Sequence, residues 1–229
     1  MSEHLDYGEI NDTQKIWADF LNTGILKEPS TEDVPGDFIC DDEIYRKLKG
    51  TIKSINCKNW YAYYHLGILE FRKGNDKIAK EMYETSLKLR ENAWALHGLA
   101  CLSIHEGNKN LAALYAQRGM ELKRHCLSYQ KEGLKILSQC EAYRAILQQY
   151  AVMDEDMKSI GRVQYYYALG LVKTGRLEEA DKLLNSEEGI VVDDVREGED
   201  SIQDLWEILN HELYGGKQIL PFRYEFHAN

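Results

Sequence analysis

Proline is almost missing from this chain: there are three, Pro29, Pro35 and Pro221. No residue from 36 to 220 therefore carries the ring that removes a helical N–H and clashes with the preceding turn. Long apolar runs are missing as well, and nothing approaches the roughly 20 apolar residues that would span a bilayer. The opening MSEHLDYGEI has neither the basic nor the apolar part of a secretory signal, so a cytoplasmic protein with no membrane partner is expected. Basic residues fall short of acidic ones, leaving a formal charge of −10. A nucleic-acid partner is not expected, because affinity for a phosphate backbone comes largely from Lys and Arg displacing counterions. The five cysteines, Cys40, Cys57, Cys101, Cys126 and Cys140, form no C-x-x-C pair and are odd in number, unlike a secreted disulfide framework or a zinc ribbon. Most are expected to be buried free thiols. G-x-S-x-G, P-loop, G-x-G-x-x-G and H-E-x-x-H motifs are absent, so neither catalysis nor a cofactor is expected.

What is present is a repeat. With 229 residues, 44% of them hydrophobic, the chain has material for a continuous core. Small residues recur in three parallel series: Gly67, Ala100, Gly133, Ala168; Gly74, Gly107, Cys140, Gly175; and Ala79, Ala112, Ala145, Ala180. Each series steps by 33, 33 and 35 residues. A small residue on one helix lets a second approach closely, and the turn glycines supply the positive φ that often ends a helix, as in KGND at 73–76, EGNK at 106–109 and TGRL at 174–177. Around the first turn, Tyr63, Leu66 and Gly67, then Ala79, Tyr83 and Leu87, fall at helical spacing.

These residues resemble the tetratricopeptide repeat, which has small residues at its eighth, fifteenth and twentieth positions and a large apolar one at the twenty-fourth. Tyr83 and Leu184 fit that last position, whereas Ala116 and Gln149 depart from it. The resemblance implies an all-α fold, a right-handed solenoid of helix hairpins whose first helices line a concave surface. Residues 60–187 would hold four repeats, 60–92, 93–125, 126–160 and 161–187, the third being the most degenerate.

The flanks are expected to cap the array. In residues 1–59, IWADFLN at 16–22 and DDEIYRKLKGTIKSI at 41–55 read as amphipathic helices. In residues 188–229, an acidic segment is followed by SIQDLWEILNHELY, with Ser201 as N-cap and Gly215–Gly216 as the stop, and then by an aromatic tail that should pack back on the body. VREGEDSIQDLW at 195–206 and LPFRYEF at 220–226 are similar to the carboxyl-terminal end of large bacterial proteins that join a galactose-mutarotase-like β-sandwich to tetratricopeptide repeats; WADFL, VPGDF and AWALHGLA extend the likeness. This resemblance implies a link to carbohydrate, although the β-sandwich part has no counterpart in the chain.

Counting from those repeat starts, the first helices place Tyr61, Tyr64, Ile68, Phe71 and Arg72, then Trp94, His97, Cys101 and His105, then Leu127, Gln130 and Leu134, and finally Arg162, Tyr165 and Lys173 on the concave side. Aromatic residues and Arg dominate binding hot spots, and Arg pairs with carboxylates. One reading makes this a groove for a protein or peptide segment, acidic or aromatic in character; another makes part of the set core packed under the N-terminal flank; a third is sugar stacking. A terminal-carboxylate clamp of the chaperone-binding kind is disfavoured, since Tyr64 and Ile68 stand where Lys and Asn would be needed. His97, Cys101 and His105 share a helix face, but residues two turns apart lie about 12 Å from each other along the axis and do not readily meet one metal ion. The carboxylate clusters Asp41–Asp42–Glu43, Asp154–Glu155–Asp156 and Glu178–Glu179 read as helix starts, loops or solvated faces. A protein- or peptide-binding scaffold is thus the first expectation, an accessory or remnant of a carbohydrate-processing protein the second, and self-association through the ends of the array the third.

Overall fold

Apolar residues at helical spacing, with so few prolines to interrupt them, give a structure in which every described regular element is helical. The computed structural model describes residues 12–33, 40–53, 58–192 and 201–225, and among them there are twelve α-helices and no strand. In order these are α1 (Asp12–Thr23), α2 (Asp42–Lys53), α3 (Trp60–Arg72), α4 (Asp76–Leu89), α5 (Ala93–His105), α6 (Lys109–Leu122), α7 (Leu127–Gln139), α8 (Tyr143–Val152), α9 (Glu155–Lys158), α10 (Gly161–Lys173), α11 (Leu177–Leu184) and α12 (Ile202–Tyr214), followed by a 3-10 turn at Phe222–Tyr224. None of them is long and apolar enough to cross a membrane. Cys57, VPGDF at 34–38, residues 193–200 and Phe226 lie outside the described residues, and with them parts of the carbohydrate-linked resemblance.

The repeat is regular, but its third unit differs from the sequence series. Helices α3, α5, α7 and α10 each span 13 residues and begin at 60, 93, 127 and 161. Two residues past each end the backbone turns left-handed, at Gly74 (φ 75°), Gly107 (76°), Glu141 (58°) and Gly175 (78°). Cys140, with φ −82°, is therefore not the counterpart of the turn glycines; Glu141 is. The unit starts at 127 rather than 126, and each of its landmark positions moves by one. Leu134 replaces Gly133, Ile146 replaces Ala145 and Tyr150 replaces Gln149. Burial follows the corrected count: Ile146 is as fully enclosed as Ala79, Ala112 and Ala180, while Ala145 is only partly covered. A left-handed conformation costs a residue with a Cβ about 1–2 kcal/mol, and here Glu141 forms an ion pair with Lys109.

The chain divides into two compact units, Met1–Glu106 and Gly107–Asn229. In the first, Asn59 and Asn92 cap α3 and α5, accepting hydrogen bonds from the N–H groups of Ala62 (2.9 Å) and Ala95 (2.8 Å). The core gathers Trp17 and Phe20 of α1, Leu26, Ile44 and Leu48 of α2, and Trp60, Tyr61 and Leu69 of α3. Tyr83 of α4 fills the space left by two glycines: a Cβ on Gly67 would come within 2.6 Å of its ring, and one on Gly98 within 2.5 Å. Glu70, fully buried, has its charge compensated from three sides, by the Tyr45 hydroxyl (2.8 Å), the Asn75 amide (2.7 Å) and the Lys49 ammonium (3.5 Å). The contact fastens α2 to α3 and to the turn after it.

In the second unit Met120 of α6 packs on Gly133, Tyr129 of α7 packs on Gly119, and α8 lies more extensively against α10 than against α7. Tyr150 of α8 stacks on Tyr167 of α10 with ring centroids 3.7 Å apart. Ser201 caps α12, and Gly215, at φ 63°, ends it. Trp206 of α12 donates to Asn185 (2.9 Å), and the Tyr224 hydroxyl donates to the Leu184 carbonyl (2.6 Å) while accepting from the Ile190 N–H (3.0 Å). The tail is thus tied down through Tyr224, whereas its neighbour Phe222 is exposed. Among the described cysteines only Cys140 is buried; Cys101 and Cys126 are half-buried and Cys40 is exposed, so burial of most thiols does not hold.

Candidate functional site

The residues assigned to a concave surface fall into two groups. Tyr61 is 0% exposed, because α1 covers it: the Trp17 ring stacks on it at 6.3 Å, and His65 meets it edge-on at 4.2 Å. Tyr64 is partly buried among Tyr61, His65 and Tyr83, and that burial pushes its phenol well above the usual range. Gln130 is buried, its amide donating to the carbonyls of Met120 and Lys123 at 2.9 Å each, which closes the end of α6. Arg162 and Tyr165 are buried at the start of α10, the guanidinium carbon 5.8 Å from the Tyr165 ring centre. The side chains of Tyr61, Gln130, Arg162 and Tyr165 are buried and used in packing, although Gln130 also borders the smaller of two clefts in the second unit.

The remainder is accessible to different degrees. In the first unit Phe71, Trp94, His97 and Cys101 are half-buried, and Arg72 and His105 are exposed. Phe71 and His105 form an edge contact at 5.6 Å, and the His105 Nε2 lies 3.5 Å from Asp76. The Cys101 sulfur is 3.8 Å from His97 Nδ1. Trp94 is partly used by the fold, since its indole N–H donates to the Asp33 carbonyl at 3.2 Å. No three His, Cys, Asp or Glu side chains among the described residues are grouped to hold a metal ion.

Lys173, in the second unit, belongs to a different feature. It lines a cleft of about 610 Å³ with Thr174, Gln117 of α6, Glu141 and the first half of α8 including Arg144 and Gln148. A smaller cleft of about 250 Å³ continues from Gln148 between α6 and the end of α8, past Met120, Glu121, Arg124, Gln149 and Val152. Together they form a trough beside α8. Its larger part falls within the volume range of ligand sites, but it is lined by Glu141, Arg144, Lys173 and glutamine amides, unlike the mostly apolar wall of a small-molecule pocket. Counting along first helices could not find it, since most of its side chains stand on second helices; the signals available were Arg144 and the paired Gln148–Gln149 in α8.

His65 is the other residue missed. It is enclosed by Trp17, Tyr61 and Tyr64, its Nε2 has no hydrogen-bond partner, and desolvation lowers its pKa to about 3, so it is neutral in the folded protein. It is a buried packing residue with no acid–base partner among the described residues. No protein-family model matches the chain, and neither does any curated protein or any solved structure.

Proposed function

We propose that the chain is a tetratricopeptide-type solenoid, capped by its flanks, that serves as a scaffold for a protein or peptide segment. The observation that carries this is the repeated unit itself: four 13-residue helices at steps of 33, 34 and 34, each followed two residues later by a left-handed residue and then a second helix. Hairpins of this size cannot bury both faces alone, and stacking neighbours within a compact unit presents their first helices as a binding surface. In the first unit that surface offers Phe71, Arg72, Trp94, His97 and His105, a mixture of aromatic and basic groups suited to an acidic or aromatic peptide.

A peptide-library selection on the full chain, followed by calorimetry, tests the reading. An enriched acidic or aromatic peptide should lose at least tenfold in affinity to the R72A/H105A double variant, whose substituted side chains are exposed and leave the helices intact by circular dichroism. Failure to enrich any sequence, or an affinity unchanged in that variant, would overturn it.

A further inference from the structure

Every carboxylate at the trough beside α8 is already engaged by a basic group. Glu141 pairs with Lys109 and is thereby held below the usual carboxylate range. Glu121 pairs with Arg118 at 3.2 Å, and Asp154, just beyond the end of α8, is bonded to His125 at 2.7 Å. Three cations remain along the trough, Arg124, Arg144 and Lys173, all exposed and none in an ion pair among the described residues. In a chain of net charge −10 this is a local excess of positive charge on one concave feature. Between the cations stand the amides of Gln117, Gln148 and Gln149, which can both donate to and accept from a peptide backbone. Val152, 55% exposed, offers an apolar contact at the far end.

The trough has a cause in the register of the third repeat. Leu134 and Ile146 occupy positions that hold Gly or Ala elsewhere, and α7 and α8 meet less extensively than α3 and α4 do. Helix α8 packs on α10, as α4 packs on α5 and α6 on α7, with Gly170 receiving Leu147 and Ile146, and the space toward α6 stays open.

We propose that this trough is a second binding site, distinct from the first-helix surface, and that it takes an acidic peptide segment in extended conformation. The ten residues of α8 rise about 15 Å, the span of about four or five extended residues. Carboxylates on such a segment can reach Lys173 and Arg144 at one end and Arg124 at the other while its backbone bonds to the glutamines.

Amide NMR of the full chain, titrated with blocked pentaglutamate, tests this. Saturable shifts are expected at residues 117–124, 141–153 and 173–174, weakening as salt is raised. Blocked pentaglutamine should produce none of them. The R124A/R144A/K173A variant should lose at least fivefold in pentaglutamate affinity, whereas R72A/H105A should bind it unchanged, which separates this site from the first-helix reading. Shifts that are absent, spread over all basic residues, insensitive to the triple variant, matched by pentaglutamine or reproduced by inorganic phosphate alone would each overturn the proposal.

Discussion

The hairpin of α3 and α4 and that of α7 and α8 are built on the same plan and closed differently. In the first, Gly67 and Ala79 let the helices meet, and Tyr83 locks them by filling the space over Gly67. In the third repeat Leu134 and Ile146 stand at those two positions, the turn residue is Glu141 instead of glycine, and α8 takes much of its packing from α10. The difference shows that a repeat can keep its backbone rhythm while its side chains loosen the contact within one hairpin. The closed pair is sealed, whereas the opened one borders a cleft.

The comparison breaks most visibly at Ile146. If it is a core residue against Gly170, Ile146→Ala should cost about 2–5 kcal/mol in denaturant unfolding, whereas Ala145→Ser, one position away and half-buried, should cost little. In the closed hairpin the sensitivity reverses. Gly67→Ala should cost about 1–3 kcal/mol by forcing a methyl against Tyr83, because there it is added volume that hurts.

A graded effect separates the regions by pH. His65 is neutral in the folded chain down to about pH 3, whereas in the unfolded chain it takes up a proton near 6.5. The unfolded state therefore binds more protons between those values, and stability falls as pH drops through that window, by at most about 1.4 kcal/mol per unit. His65→Leu should flatten that part of the stability–pH curve relative to the parent protein. An unchanged slope would mean that the imidazole is hydrated or charged in the fold.

The helices were legible because their punctuation is chemical: Asn59, Asn92 and Ser201 start them, Gly74, Gly107, Gly175 and Gly215 stop them, and no proline intervenes. The register of the third repeat was not legible. Gly133, Cys140 and Ala145 keep the spacing of the other units one residue too early, and nothing about a glutamate advertises a left-handed backbone. The burial of Tyr61 was equally hidden, for it depends on Trp17, distant in sequence, folding over it. Local spacing identifies the helix and even the face. Which flank covers that face is decided by long-range packing. Lys173 was read from the sequence as a ligand-facing residue and lies in the trough, but its neighbours Arg144 and Gln148 come from a second helix that first-helix counting ignores.

The smallest expected effect is the most direct test of the shifted register. Denaturant unfolding of Glu141→Gly and Cys140→Gly compares two adjacent residues, of which only one has positive φ. Glycine at 141 relieves the left-handed strain and gives up only an exposed ion pair, so the midpoint should rise, by up to about 1 kcal/mol in stability. Glycine at 140 gains nothing, gives up a buried thiol and adds unfolded-state entropy, so the midpoint should fall by about 1 kcal/mol. A rise for Cys140→Gly together with a fall for Glu141→Gly would restore the register of the sequence series and remove the stated cause of the trough.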